Sequence, residues 1–240
     1  MASLILGWLL APTATLGLLV LGMGSFAKGW RSALPVISPL LLGAVCASGA
    51  WAIWASLDHV GIWWFTDDPT LVTAATVCGV VGAFAAFRAE KALSRMLFEL
   101  RRRMHREKDE IALPASLRIV DTPSPTESLN EIRRMARRPG LFAFLTAWTT
   151  VAEELFYRGA VLLISVPLGL DPVLGLVVQA FFYALNHIAF GLPALIGKLI
   201  LGLLLGAVTL WSGSLIPAFT AHAAFQALVW KQVTTRPAGN

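Results

Sequence analysis

Residues 141–166 read LFAFLTAWTTVAEELFYRGAVLLISV, and the charged side chains in this stretch are Glu153, Glu154 and Arg158. A helix needs about 20 mostly apolar residues to cross the hydrocarbon core of a bilayer, and this stretch is long enough to do so. Each charged side chain at the centre of such a helix costs roughly 2.5–3.5 kcal/mol. The stretch therefore predicts a membrane-spanning helix whose ionisable groups pair with one another or take part in function.

The whole chain shares this apolar character. Of its 240 residues, 57% are apolar and 14% are charged, whereas a soluble domain has about 45–50% and about 25%, respectively. This composition excludes an ordinary soluble globule, and the long apolar blocks exclude a disordered or collagen-like chain. The predicted membrane spans are residues 4–26, 34–57, 71–87, 141–166, 172–190, 192–211 and 215–230. We predict an all-α polytopic membrane helix bundle with about seven transmembrane helices.

The distribution of positive charge predicts the orientation of the bundle. Residues 88–140 contain 13 of the 19 Lys and Arg residues, so the positive-inside rule assigns this segment to the cytoplasm. Within it we expect an amphipathic helix over residues 88–110, a proline-containing linker over 113–125 and a basic helix over 127–138. The N-terminus is then outside and the C-terminus is in the cytoplasm, in a multi-pass protein of the bacterial inner membrane. The net charge of +5 follows from this topology, and no nucleic acid is expected as a partner.

Polar residues are distributed unevenly among the predicted spans. The chain divides into three N-terminal transmembrane helices (1–87), the basic cytoplasmic segment (88–140), four further transmembrane helices (141–230) and a cytoplasmic tail (231–240). The first three spans contain no ionisable side chain. The polar residues of the last four are Glu153, Glu154, Arg158, Gln179, Asn186, His187, Lys198, His222 and Gln226. Because buried ionisable groups in a membrane are costly, this second half is where function is expected.

Helical spacing predicts which of these groups pair. Glu154 and Arg158 are four residues apart with the Glu first, which is the favourable order for an ion pair on one helix face. Glu153 lies about 100° round the helix, so it must find another partner or keep a proton. A carboxyl left over in this way is a candidate acid or base. Along their spans Glu153 and His222 lie near mid-membrane and His187 lies nearer the cytoplasm, so one cavity that opens inward could contain all three.

Two other features of the second half predict packing rather than chemistry. Lys198 lies one turn from the cytoplasmic end of its span, and we expect its side chain to extend to the lipid headgroups. Gly202 and Gly206 form a GxxxG pattern, which is typical of two helices in close contact.

Three short motifs in this half occur together. Residues 153–158 read EELFYR, an EExxxR motif, Tyr183 and His187 form an aromatic-xxx-His element, and His222 and Gln226 form an Hxxx-amide element. Their order and spacing resemble the CPBP family, also called the Abi or type II CAAX prenyl endopeptidase family of intramembrane glutamic proteases. Each of the three elements lies inside a predicted span, which makes the combination far more specific than any one of them.

The resemblance covers about residues 141–230 and implies a catalytic core of four helices at the C-terminal end of the chain. Two positions depart from the family pattern. The family commonly has Phe where this chain has Tyr183, a change that keeps the ring. It commonly has Asn or Asp where this chain has Gln226, a change that keeps the amide and lengthens the side chain by one methylene.

The resemblance also implies an activity and the residues that carry it. Glu153 with His187 would activate a water molecule that attacks the scissile peptide carbonyl, and His222 with Gln226 would stabilise the oxyanion. Glu154, Arg158 and Tyr183 would hold these catalytic groups in position without contacting the substrate. The implied substrate is a membrane-anchored protein or peptide, cleaved near its C-terminus, and the bilayer is the other partner. The implied mechanism uses no metal and no cofactor.

Two alternatives use the same residues. In the first, His187, His222 and one glutamate bind zinc and the other glutamate acts as the base, although the sequence contains no HExxH motif. In the second, the protein is a non-catalytic membrane scaffold or a proton-coupled carrier with a buried proton relay. The sequence carries no signal for the oligomeric state or for a particular substrate.

Overall fold

A computed structural model describes residues 7–16, 28–56, 68–108, 135–163, 169 and 171–235 of the chain. These residues form helices and turns, with no β-strand among them. The elements in chain order are α1 (described over 7–16), α2 (Lys28–Ala55), α3 (Pro69–Lys108), α4 (Pro139–Glu153), a π-helix (Glu154–Leu163), α5 (Pro172–Leu185), a 3₁₀ turn (Ile188–Phe190), α6 (Leu192–Ser212) and α7 (Ile216–Thr235). The predicted all-helical fold is confirmed for these residues.

Three of the described helices are long and apolar enough to cross a membrane. They are Val36–Ala55, Pro69–Leu100 and Leu192–Ser212, and Pro172–Leu185 is a shorter apolar helix. Large apolar side chains are exposed on the outside of the bundle, including Trp51 at 72% and Val173 at 66%. Such a surface fits lipid rather than water. The helical membrane protein is thus supported, and the total of seven spans remains a prediction.

Local sequence explains where two of these helices begin. The Asp68 carboxylate accepts hydrogen bonds from the backbone N–H groups of Thr70 and Leu71 at 2.9 and 3.1 Å. The Asp171 carboxylate does the same at the start of α5, with bonds of 2.8 and 2.9 Å. A proline follows each aspartate, and its fixed φ angle suits the first helical position. These caps satisfy N–H groups that have no partner within the helix.

Helix α3 is longer than its predicted span. The predicted span ends at residue 87, and a separate amphipathic helix is predicted from residue 88. The structure instead has one unbroken helix from Pro69 to Lys108. The reason is that residues 83–108 contain neither Gly nor Pro and are rich in good helix formers. The predicted linker (113–125) and most of the predicted basic helix (127–138) lie outside the described residues.

The predicted spans 141–166 and 172–190 also differ from the structure. The first is α-helical only as far as Glu153 and continues as a π-helix to Leu163. Helical turns of this wider type occur mainly at functional sites. Helix α5 ends at Leu185, and a 3₁₀ turn leads to Gly191, whose φ of 86° suits glycine. Because residue 193 is a proline, the chain starts a new helix there instead of extending the old one.

Helices from the first half of the chain pack against helices from the second half. Helix α3 packs along α6 and α7, α2 packs against α4 and the π-helix, and α5 packs against α6. The predicted GxxxG contact is present between α5 and α6. A Cβ on Gly202 would lie 3.0 Å from the Tyr183 ring and 3.1 Å from the Ala180 backbone, so only glycine lets these helices approach so closely.

This contact predicts that Gly202→Leu destabilises the protein. The added side chain meets the backbone of α5, and overpacking of this kind costs about 1–3 kcal/mol. The free energy of unfolding in detergent measures the effect. The matched control is Gly140→Leu, because a Cβ at Gly140 meets nothing within 4 Å. Equal stability of the two variants would contradict the tight α5–α6 contact.

Candidate active site

The EExxxR motif places an ion pair at the start of the π-helix. Arg158 Nη1 donates a hydrogen bond of 3.2 Å to Glu154 Oε1, and both side chains are fully buried. The ion pair predicted from the four-residue spacing is therefore present. Arg158 also contacts the Gly202 carbonyl oxygen at 3.5 Å through Nη2, and its guanidinium carbon lies 4.4 Å from the centre of the Tyr183 ring.

His222 connects this ion pair to the other motifs. Its Nδ1 lies 2.7 Å from Glu154 Oε1, and because a carboxylate can only accept, Nδ1–H is the donor. The other ring nitrogen, Nε2, lies 3.2 Å from Gln226 Nε2, 3.3 Å from the Tyr183 hydroxyl and 4.0 Å from Glu153 Oε2. His222 is thus held by one glutamate and faces the other.

His187 lies on the other side of the Tyr183 ring. The ring centroid of Tyr183 is 5.3 Å from that of His187 and 5.9 Å from that of His222, so both imidazoles flank one aromatic side chain. His187 Nδ1 lies 3.2 Å from the Tyr183 carbonyl oxygen. Because a carbonyl oxygen only accepts, Nδ1–H donates, and Nε2 of the neutral ring keeps its lone pair.

The structure brings together six of the seven predicted site residues through direct contacts. Glu153, Glu154, Arg158, Tyr183, His222 and Gln226 are joined by the distances given above. His187 joins them through Tyr183 and makes no hydrogen bond to Glu153 in the described part of the chain. The predicted site residues therefore form one cluster across the end of α4, the π-helix, α5, the turn after α5, and α7.

Two details of the cluster differ from the sequence analysis. From the sequence, Tyr183 in place of Phe is a change that only keeps the ring. In the structure its hydroxyl contacts His222 Nε2. Lys198 is expected to reach the headgroups, but its side chain is buried, with its ammonium nitrogen 4.0 Å from the Phe225 ring centroid. The reason is that α6 is packed between α3 and α7, so Lys198 faces neighbouring helices instead of the membrane surface.

A second polar contact behind the site is not predicted by the motifs. Asn186 Nδ2 donates to the Tyr157 hydroxyl at 2.8 Å, and Asn186 Oδ1 accepts from the Thr13 hydroxyl at 3.1 Å. This pair of bonds connects α1 to the end of α5, next to His187. The sequence does contain a signal for this contact, because an asparagine inside an apolar span directly precedes a candidate catalytic histidine.

The zinc alternative requires ligands grouped around one point. Among the described residues, no group of three or more His, Cys, Asp or Glu side chains is arranged to hold a metal ion. The residues present therefore do not fit a zinc site formed by both histidines and a glutamate.

A buried cluster of carboxyl, imidazole and amide groups inside a helical membrane protein defines a class, the membrane-embedded acid–base site. The family can be given as well. Residues 137–228 match the family model described as type II CAAX prenyl endopeptidase Rce1-like. Over these residues the chain is therefore similar to the CAAX protease family, as the three motifs predict, and the described helices support a helical membrane protein. No curated protein and no solved structure is similar enough to the chain to count as a match.

Proposed function

We propose that this protein is an intramembrane endopeptidase in which Glu153 and two histidines hydrolyse a peptide bond. The observation that supports it best is the environment of His222 Nε2, where Glu153, Tyr183 and Gln226 converge. A carboxyl, an imidazole and two neutral hydrogen-bonding groups around one point are the components needed to activate water and to stabilise an oxyanion.

In the first step, Glu153 removes a proton from a water molecule while the remaining hydroxide attacks the peptide carbonyl carbon. His187 supports this step because its Nε2 lone pair can accept a hydrogen bond from the same water. The carbonyl π electrons move to the oxygen, which becomes an oxyanion. A positioned base of this kind contributes about 10²–10⁴-fold to the rate.

In the second step, the oxyanion collapses, the C–N bond breaks, and Glu153 returns its proton to the leaving amine. Gln226 and His222, whose ring carries a proton on both nitrogens before the reaction begins, donate hydrogen bonds to the oxyanion before it collapses. Donors of this kind contribute about 2.7–4 kcal/mol each. Glu154 supports the step because its contact with Nδ1 orients the ring and balances the charge of the imidazolium.

The proposed substrate is a protein or peptide anchored in the membrane and cleaved near its C-terminus. The family description names CAAX prenyl endopeptidases, and a site within a helical bundle suits a chain held at the bilayer. With the proposed orientation, N-terminus outside and C-terminus in the cytoplasm, such a chain would enter from the cytoplasmic leaflet.

Comparative proteomics of membranes tests this function. Membranes containing the wild-type protein are compared with membranes containing Glu153→Gln at the same protein level. We expect certain membrane proteins to lose a C-terminal segment with the wild type only. Identical C-termini in both membranes would overturn the peptidase, and solute or proton flux in proteoliposomes would then favour the carrier alternative. Cleavage abolished by chelation and restored by zinc alone would favour the metal-dependent alternative.

The Tyr183 hydroxyl predicts a smaller effect in the same assay. Tyr183→Phe removes the contact with His222 and keeps the ring between the two imidazoles. A hydrogen bond contributes about 0.5–1.5 kcal/mol, so we expect cleavage to slow by about three- to tenfold, since 1.4 kcal/mol corresponds to a factor of ten.

The matched control is Tyr157→Phe. The Tyr157 hydroxyl accepts a hydrogen bond from Asn186 and, in the described part of the chain, makes no hydrogen bond to Glu153, His187, His222 or Gln226. This variant is expected to lower the free energy of unfolding and to leave the cleavage rate per folded molecule close to that of the wild type. Full activity of Tyr183→Phe would show that its hydroxyl has no part in the reaction.

A further inference from the structure

Two charged residues outside the three motifs lie beside the site. Glu90 is on α3, outside the part of the chain that matches the family, and its side chain reaches α6. A Cβ on Gly197 would lie only 2.6 Å from Glu90 Oε2, so the glycine is what allows the carboxyl to approach. This oxygen is buried, and it has no hydrogen-bond partner among the described residues.

Lys198 is the residue next to that glycine, and it has little access to the surface. Its side chain is 7% exposed, and its ammonium nitrogen lies 4.0 Å from the centre of the Phe225 ring. Phe225 is on α7, one turn after His222. The ammonium group interacts electrostatically with the carboxyls of both Glu90 and Glu153, and among the described residues it forms no ion pair of 4.0 Å or less with either. Lys198 is therefore shared by a carboxyl of α3 and the proposed catalytic base.

The charges around the site can be counted. In the described part of the chain, three carboxyls and two cations are in contact or electrostatic interaction: Glu90, Glu153, Glu154, Arg158 and Lys198. A net charge in a low-dielectric interior is costly. The cluster is neutral when it holds one extra proton, either on a carboxyl or on His222, and peptide hydrolysis must move one proton in this region.

We propose that Lys198 and Glu90 form a positioning pair for the proposed peptidase, in which Lys198 keeps the Glu153 carboxylate charged and Glu90 moderates that effect. This inference rests on the proposed function of Glu153 as the base. It follows from Coulomb's law, because a cation beside a carboxylate stabilises its charged form and a second carboxylate competes for the same cation. Helix α3, which lies outside the family domain, would thus tune the site.

The other titratable groups that face Glu153 come from every neighbouring element. They are Cys46 on α2, Glu154, Tyr157 and Arg158 on the π-helix, Tyr183 on α5 and His222 on α7. His187, at the end of α5, interacts with both Lys198 and His222. Arg158 is already bonded to Glu154, and Lys198 is the cation in the described part of the chain with the larger effect on the charge of Glu153.

The test is the pH dependence of kcat/KM in proteoliposomes, whose acidic limb reports the protonation of the base in the free enzyme. Lys198→Met removes the cation, so Glu153 binds its proton more readily and the acidic limb should move up by about one pH unit or more. Glu90→Gln removes the competitor, so the limb should move down. The double variant should resemble Lys198→Met, because Glu90 acts only through the cation, and Lys198→Arg should resemble the wild type.

Two variants on α3 serve as matched controls, Lys91→Met and Glu99→Gln, because these side chains are not part of the buried cluster. Their profiles should overlay that of the wild type. The positioning pair would be overturned if Lys198→Met, Glu90→Gln and the wild type had superimposable pH profiles. If Glu153→Gln were inactive in the same assay, the proposed peptidase function would still stand.

A second measurement separates this inference from the proposed function. Infrared difference spectroscopy follows the C=O stretch of a protonated carboxyl during a pH titration, and the band missing from Glu153→Gln belongs to Glu153. The titration of that band should move in the same directions in Lys198→Met and Glu90→Gln even if no substrate is cleaved. A band that titrates identically in all variants would overturn the electrostatic coupling.

Discussion

Glu153→Gln is expected to lower the rate of peptide cleavage by about 10²–10⁴-fold, which is the contribution of a positioned base. Glutamine keeps the size and shape of the side chain but cannot accept a proton from water. Glu153 is buried, and the structure gives it a close approach to His222 but no hydrogen-bond donor among the described residues, so the amide should fold into the same place. The measurement is the initial rate of cleavage of an identified substrate in proteoliposomes.

The same substitution on the protein surface provides the control. Glu99 on α3 is exposed, and Glu99→Gln should cleave at the wild-type rate. Thermal unfolding in detergent should be similar for both variants, because neither carboxylate has a hydrogen bond to a cation among the described residues. Cleavage by Glu153→Gln within tenfold of the wild type would contradict the proposed base.

Glu154→Gln should behave differently, which distinguishes the roles of the two adjacent glutamates. Glu154 is bonded to both Arg158 and His222, so its loss frees a buried cation and weakens the orientation of the imidazole. We therefore expect a lower free energy of unfolding together with a lower rate. For Glu153→Gln the rate alone should fall.

The parts of the site that sequence could predict are those that depend on spacing within one helix. Glu154 and Arg158 are four residues apart, as are His222 and Gln226, and both pairs are in contact in the structure. Residues four apart stay neighbours on one face of an α-helix and also of the wider π-helix, whatever the rest of the fold does. Local contacts of this kind need no knowledge of how the helices pack.

The parts that sequence could not predict depend on how the helices are rotated against one another. The contact between Glu154 and His222 joins residues 68 positions apart, and the contact between Tyr183 and His222 joins residues 39 apart. Periodicity gives the face of each helix but not the face of the helix that meets it. The π-helix adds to this, because helical-wheel angles for an α-helix no longer apply after Glu153.

The position of Glu90 is another feature that the sequence did not predict. Glu90 is predicted to lie in a cytoplasmic segment, because charged residues become frequent from residue 88 onward. Yet Ala83 and Ala86 are buried against α6 and α7, and Glu90 follows on the same face, at the spacing of one more helical turn. Extending the apolar face by one turn would have placed its carboxyl next to the second half of the chain.

Arg158→Met is expected to lower the free energy of unfolding by about 3–5 kcal/mol, the usual cost of leaving one partner of a buried ion pair without the other. The guanidinium is fully buried, so no water can replace it beside Glu154. Equilibrium unfolding in detergent micelles measures the change. The control is Arg137→Met, because Arg137 is exposed and a surface substitution usually changes stability by less than about 0.5 kcal/mol.

The double variant Glu154→Gln/Arg158→Met then separates stability from activity. It leaves no unpaired charge, and replacing both members of a buried ion pair with neutral groups is often close to neutral, so most of the lost stability should return. The rate of cleavage should stay low, because the imidazolium of His222 no longer has a carboxylate at Nδ1. Recovery of both stability and activity would show that Glu154 acts only as the ion-pair partner of Arg158 and has no role in the reaction. Recovery of stability alone would give Glu154 two separable roles, one in holding the π-helix to α6 through Arg158 and one in orienting His222.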